Sequence, residues 1–310
     1  MKFRFLIIFC FVFALKSLAQ LSDTELSYFS KLEDSLKILQ KKVFYSKKES
    51  DRFEANKQFL AIWNEIIPNE KSFQYPFDSL TEISRLTAPD KSFRIVTWNV
   101  FKNDGTQAYF GFIQSNQATV KKSGLFKKTT LHEYHYFLLS DKSSSVKTPE
   151  NYVSDHTKWF GMLYYDIIKS DDYYILLGWD GNDKITQRKF IDVLTFKDDG
   201  TPTFGKDVFK YPGKFAKRVM FEYASEVSMS LKYHPNRKQI VFNHLAPKDP
   251  DAALEGQYQY YGPDGSFDAL TEKKGRWVYE GDIDIRKAKD KTDNVNKPDP
   301  DKQKPVYKPN

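Results

Sequence analysis

Phe93-Arg94-Ile95-Val96-Thr97-Trp98-Asn99-Val100, then Asn103-Asp104-Gly105, then Gln107 to Ile113, is the stretch that decides the fold. Val96, Trp98 and Val100 recur at every second position, the spacing that lines one face of a pleated strand. Asn-Asp-Gly supplies residues that tolerate positive φ and returns the chain as a hairpin. The signature repeats downstream in His132 to Leu139, Trp159 to Ile168, Tyr173 to Gly178, Lys189 to Phe196 and Arg218 to Tyr223. It continues through Val227 to Tyr233, Gln239 to His244, Gln257 to Tyr261 and Arg276 to Ile285. Asp180-Gly181, Asp198-Asp199-Gly200, Pro235-Asn236 and Pro263-Asp264-Gly265 punctuate these runs as turns. Short strands with tight turns and no helical pattern between them predict an antiparallel β meander, closed as a sandwich, a barrel or an irregular propeller-like array.

Upstream the period changes to that of a helix. Ser22-Asp23-Thr24-Glu25 fits a capping box, and Leu26, Phe29, Leu32, Leu36 and Leu39 follow at three- and four-residue spacing. After a polar break at Ser46 to Ser50, Phe53, Leu60, Trp63 and Ile67 continue a second helix that Pro68 ends. Two such helices are marginal alone, so their stripe must dock on the β region. The predicted fold class is therefore α+β, mostly β, with an N-terminal helical pair packed on the meander.

Lys2 and Arg4 precede an unbroken apolar run from Phe5 to Leu15, and Ser17 and Ala19 place small residues where a signal peptidase reads. Such a run is shorter than the roughly 20 residues that span a bilayer. Cleavage after Ala19 predicts a mature N-terminus at Gln20 and export to the periplasm or beyond. The expected organisation is a signal peptide at 1–19, a helical segment at 20–72, a β body at 73–285 and a disordered tail at 286–310.

Export alters the charge and sulfur chemistry. The chain of 310 residues has one cysteine, Cys10, which departs with the leader, so thiol catalysis, thiolate metal sites and disulfides are excluded from the mature protein. Loss of Lys2, Arg4 and Lys16 lowers the net charge from +7 to +4. The tail holds eight Lys or Arg against four Asp, so the body is electrically balanced and carries no concentrated basic face for nucleic acid. No later run is long enough for a transmembrane helix.

Several phrases together resemble a group of exported, uncharacterised proteins of Gram-negative bacteria. They are Leu177-Gly178-Trp179-Asp180-Gly181-Asn182-Asp183-Lys184, Phe221-Glu222-Tyr223, His244-Leu245-Ala246-Pro247 and Gly262-Pro263-Asp264-Gly265, with Trp277-Val278-Tyr279 and Asp282-Ile283-Asp284-Ile285-Arg286. The resemblance implies a secreted or periplasmic setting and brings no activity, cofactor or catalytic residue with it.

Candidate site residues come from chemistry alone. Trp179, in a Gly-Trp-Asp-Gly turn, is the foremost functional aromatic, with Trp277 beside it as a ligand-binding candidate. Tyrosine pairs such as Tyr164-Tyr165, Tyr173-Tyr174 and Tyr260-Tyr261 place one ring of each on either side of a sheet, where rings pack across strands or stack on sugars. Asp180 and Asp183 offer oxygens to calcium, although ordinary turn chemistry also explains them and the spaced twelve-residue calcium loop is absent. Glu280, Asp282 and Asp284 would share one strand face. His132 and His135 lack the helical spacing of a zinc pair, and His156 and His244 join them only through tertiary structure. No metal or cofactor is predicted, and no nucleophile elbow or phosphate loop is present. These features point to a non-catalytic exported binding or scaffold protein of the cell envelope, whose partner is a glycan or an envelope protein. The alternative is a carboxylate-dependent hydrolase acting on glycan or another envelope polymer.

Overall fold

The computed structural model describes residues 21–123 and 127–285; the expected signal peptide at 1–19 and the expected tail at 286–310 lie outside them. Ser22 opens α1 (Asp23–Tyr45) as the spacing predicts. Its hydroxyl accepts the Glu25 N–H at 3.3 Å while the Glu25 carboxylate accepts the Ser22 N–H at 2.8 Å, which satisfies two otherwise orphaned donors. Helix α2 (Glu49–Ile66) stops just short of Pro68.

The chain then builds three stacked sheets rather than a closed barrel. Sheet 1 is an antiparallel succession of β1 (Ser84–Thr87), β2 (Phe93–Phe101), β3 (Gln107–Ser123) and β4 (Lys127–Ser140). β5 (Ser154–Asp155), β6 (Leu163–Lys169), β7 (Tyr174–Asp180), β8 (Thr186–Phe196) and β9 (Pro202–Phe204) make the backbone of sheet 2. β10 (Phe209–Tyr211) and β11 (Lys214–Ala216) leave for sheet 3, and β12 (Val219–Ala224) returns to pair with β8. β13 (Leu231–His234), β14 (Gln239–Pro247), β15 (Tyr261–Lys273) and β16 (Arg276–Glu280) complete sheet 3.

Each interface between layers is a core. Phe29, Leu36, Phe59 and Trp63 of the helices pack on Val96, Trp98 and Phe112 of sheet 1. The opposite face of sheet 1 presents Phe93, Ile95 and Ile113 to Leu176, Phe190 and Leu194 of sheet 2. Sheet 2 turns Ile175, Leu177, Ile191 and Val193 toward Ile240, Phe242, Leu270 and Trp277 of sheet 3. β2 and β7 are thus covered on both faces, which is why Ile175-Leu176-Leu177 reads as an unbroken apolar run rather than a strict alternation.

The sheets are antiparallel as expected, apart from a parallel pairing of β10 with β16, which the chain reaches by crossing from sheet 2. The structure corrects several finer expectations. Gln257 to Tyr261 is not a strand: Tyr258–Tyr260 form one 3-10 turn that leads into β15. Pro263-Asp264-Gly265 lies within β15, as a bulge opposite His244, because Asn243 pairs with Phe267 and Leu245 with Pro263. β16 ends at Glu280 and Asp282 takes a φ of 52°, so Glu280, Asp282 and Asp284 do not share a strand face. Trp159 precedes β6 and is wholly buried.

Two buried arginines tie the layers together. Arg94 donates to Tyr75 O at 2.7 Å, to Ser72 O at 3.0 Å and to the Gln114 amide oxygen at 2.9 Å, and stacks over the Phe77 ring at 5.4 Å. None of these partners is a carboxylate, and loss of hydration pulls the guanidinium down to about 10. Arg218 has a full counter-charge. Its Nη2 lies 2.9 Å from Asp192 Oδ2, both side chains are 0% exposed, and the same carboxylate accepts the Tyr164 hydroxyl at 2.9 Å. Removing one partner strands the other charge in the core. Arg218→Met is expected to lower unfolding free energy by about 3–5 kcal/mol in urea titrations, and adding Asp192→Leu to recover most of that loss. A single variant as stable as the parent would show that the pair carries no strain-free charge balance worth keeping.

Candidate functional site

Trp179 and Asp180 close β7, and Asp183 follows three residues on, so the sequence candidates at this turn do assemble together. Trp179 is on the strand rather than in a turn, half-buried, and its indole N–H donates to Gln187 Oε1 at 2.9 Å. Asp180 is buried beneath Tyr109, whose hydroxyl donates to it at 2.7 Å, and burial raises its carboxyl above the ordinary range. The Asn182 N–H at 2.8 Å fills further acceptor capacity. Asp183 Oδ1 accepts the N–H groups of Ile185 and Thr186 at 2.8 and 2.9 Å. Both carboxylates are therefore engaged in turn chemistry. Trp277 lies elsewhere, 0% exposed in the core between sheets 2 and 3. His135 and His156 flank the Phe137 ring, whereas the side chain of His132 lies outside the described residues. Among the described residues no three His, Cys, Asp or Glu side chains gather as they would around a metal ion.

A different place offers open space. The link from β12 to β13 crosses the ends of β14 and β15, leaving a cleft of about 390 Å³. Tyr260, Tyr261, Pro247 and Pro263 give it flat apolar surface, while Glu226, Lys248 and Asp264 give it charge. The Lys248 ammonium sits 4.8 Å from the centre of the Tyr260 ring, and Tyr258 packs on Tyr261 at 5.5 Å. Gly262 lies beside Val227, and a Cβ there would make only ordinary contact with its methyl groups, at 3.5 Å. The Ser266 N–H and hydroxyl, each 2.8 Å from Asp264 Oδ1, hold the Asp264 carboxyl below its usual range.

Outside the cleft's lining, opposite the bulge that carries Asp264, stands His244. Phe242 pairs across the sheet with Asp268, and the His244 Nδ1 reaches that same carboxylate at 2.8 Å. Ala246 and Lys248, which line the cleft, follow His244 at two and four residues along the chain. Asp268 is nearly inaccessible, with 6% of its side chain exposed against 45% for His244. Tyr279 OH donates to Asp268 at 2.9 Å and the Asp282 N–H at 3.0 Å, so three donors satisfy a carboxylate that would be costly to bury alone. Burial and this carboxylate push the Tyr279 hydroxyl up to about 12.

Set against protein-family models, curated proteins and solved structures, the chain matches none. The cleft was only partly legible beforehand. Tyr260-Tyr261 stands out as a pair, but Glu226 and Lys248 look like ordinary surface charges, and His244 and Asp268 are separated by 24 residues. The one local signal is Asp-Gly inside a run that continues as a strand, which marks a bulge as readily as a turn.

The hydrogen bond that His244 donates to the Asp268 carboxylate raises its imidazole above the ordinary 6.5. Its stabilising contribution is fully present below pH 6.5 and is lost as pH rises through the folded-state value. Proton NMR titration of the imidazole C2 signals is expected to show His244 above the ordinary range in the parent and returned toward it in Asp268→Asn; an unchanged midpoint would refute the coupling.

Proposed function

We propose that this chain is an exported binding protein of the cell envelope and that its ligand is a glycan held in the Tyr260–Tyr261 cleft. The observation that carries the reading is the pairing, in one open cleft, of flat aromatic surface with Glu226, Lys248 and Asp264. Sugar rings present apolar C–H faces that lie on aromatic rings, and hydroxyls that both donate and accept. A cleft with an ammonium and carboxylates answers both demands. The basic leader with its apolar run and Ser17-Leu18-Ala19 supports export, and the absence of cysteine from residues 20–310 suits a chain that needs no disulfide.

A second reading, a carboxylate-dependent glycan hydrolase, draws on Glu226 and Asp264 lining the same cleft. Glycosidic cleavage needs one carboxyl raised so that it can protonate the leaving oxygen. Asp264 is shifted the opposite way by its Ser266 donors, which favours the binding reading. Among the described residues no helix is long and apolar enough to cross a membrane.

Two measurements test the proposal. Expression of the full chain should yield an exported protein whose first residue by mass spectrometry is Gln20; an intact leader on an intracellular product would refute export. Screening against neutral oligosaccharides should find a ligand whose affinity falls about tenfold, or about 1.4 kcal/mol, in Tyr261→Ala, with the melting temperature little changed. Equal binding by Tyr260→Ala, Tyr261→Ala and the parent would remove the cleft from consideration.

A further inference from the structure

We propose that Lys189 is the centre of a second ligand site, at the open end of the core between sheets 2 and 3, and that it takes a sugar carrying a carboxylate or a phosphate. Trp179, Lys189 and Phe221 stand opposite one another on β7, β8 and β12. They continue, two residues further along each strand, the face on which Leu177, Ile191 and Val219 are buried against sheet 3. Cover by sheet 3 thins at this row: Phe221 still rests on Phe242 at 4.6 Å, but all three side chains are left half-buried. A bulge between Tyr164 and Asp166 on β6 brings Tyr165 to the same place. Its ring centre lies 5.4 Å from the Lys189 ammonium, and its hydroxyl donates at 3.2 Å to Leu231 O of β13, the edge strand of sheet 3. Lys232, the next residue on β13, is exposed.

What this setting lacks is a counter-charge. Among the described residues no carboxylate lies within ion-pair distance of the Lys189 ammonium, whereas Lys169, Lys206 and Lys273 each meet one at 2.6, 2.6 and 2.5 Å. Strand alternation is the reason. Arg188, one residue earlier, points to the opposite face and there takes Glu222 at 2.8 Å and Asp180 at 3.8 Å. Asp166 sits beside Tyr165, but its Oδ1 accepts the Ile167 N–H at 2.9 Å. An ammonium that is half-buried among rings keeps the attraction of their quadrupoles and loses part of its hydration. Burial and the charge of Lys232 accordingly pull Lys189 below its usual range. A bound oxyanion supplies the missing charge, with Lys232 as a second donor from the rim.

The rings select the rest of the ligand. The Trp179 indole N–H is committed to Gln187 Oε1 at 2.9 Å, so Trp179 offers a flat apolar face and no free donor, which suits the C–H face of a sugar. Ammonium and rings together favour a charged sugar over a neutral one and over a bare anion. Carboxylate and phosphate present the same oxyanion edge to an ammonium, so acidic sugars and sugar phosphates share the chemistry the site asks for. The site is distinct from the Tyr260–Tyr261 cleft and stands whether or not that cleft holds a glycan.

Trp179 reports on it directly, because the other four tryptophans are at most 1% exposed. The full chain is titrated with a methyl hexuronide, a hexose phosphate, a neutral methyl hexoside and inorganic phosphate while tryptophan emission is followed. The two charged sugars are expected to give saturable changes, with affinities at least about tenfold above those for the neutral sugar and for inorganic phosphate. A response to only one of the two identifies the source of the oxyanion. Lys189→Met, which keeps the apolar stem, is expected to lose the preference for charge, and Lys189→Arg to keep it. Because no partner is stranded by the change, the urea midpoint of Lys189→Met is expected at or above that of the parent; a lower one refutes the unpaired ammonium. Tyr261→Ala is expected to leave the titration unchanged, and loss of the response there assigns the signal to the cleft and overturns the second site. Silence of the parent toward every probe, equal response to neutral and charged sugars, or an unaltered preference in Lys189→Met overturns it as well, and none of these results touches the cleft reading.

Discussion

Burial of sheet 2 on both faces is the constraint on which the molecule depends. A sheet enclosed this way cannot alternate apolar with polar residues, so β7 and β8 place Leu176 and Phe190 toward sheet 1 while Ile175, Leu177, Ile191 and Val193 face sheet 3. Any polar group left between these layers must be fully satisfied or it would cost more than it contributes. Asp192, Arg218 and Tyr164 meet most of that demand jointly, with only the Arg218 Nε–H left without a partner: the carboxylate receives a guanidinium N–H and a phenolic O–H, and Tyr164 itself accepts the Trp159 indole N–H at 3.1 Å. Arg218 also donates to Pro149 O at 3.1 Å, which draws the 149–162 connection onto the sheet. The central layer is fixed by its charges as well as by its apolar area.

The helical pair is held by a related device in which the cation meets partial charges rather than a full counter-ion. Arg94 reaches through the helix-facing side of sheet 1 and finds carbonyl oxygens at Ser72 and Tyr75 and the faces of Phe73 and Phe77. A cation so placed gains from the partial negative charge of backbone carbonyls and from ring quadrupoles, neither of which brings the hydration cost of a second ion. Trp98 adds an indole N–H to Asn56 at 2.7 Å, so the second helix is registered on β2 by direction as well as by packing. The hydrophobic stripe supplies the driving force, and these polar contacts choose the seat.

The cleft follows from how sheet 3 is made. A bulge at Asp264 to Ser266 breaks the β14–β15 ladder opposite His244, which bends the strands and turns Asp264 toward open space. The β12–β13 link passes close to the sheet here, so that Ala224 of β12, a strand of sheet 2, and Glu226 and Val227 of the link build one side of the cleft. Asp268 is buried beneath this point because Tyr279, Asp282 and His244 supply three donors from three separate parts of the chain. Stability and the availability of His244 are thus linked: the bonds that make a buried carboxylate tolerable are those that hold the imidazole in place.

Local sequence alone determined the capping box at Ser22, the end of the second helix before Pro68, the hairpin from β2 to β3 and the predominance of β structure, because periodicity and turn chemistry act over a few neighbouring residues. The same local logic misassigned Asp264-Gly265, since a bulge and a turn ask for the same residues and differ only in whether a partner strand runs alongside. It also offered Trp277 as a ligand-binding residue, whereas stacking three sheets buried Trp98, Trp159 and Trp277 and covered β7 on both sides. Layer order, the parallel pairing of β10 with β16, the Asp192–Arg218 pair and the convergence of His244 with Asp268 were decided only in three dimensions. Those contacts join residues far apart in the chain, and no short-range pattern encodes which distant surface a buried face will meet.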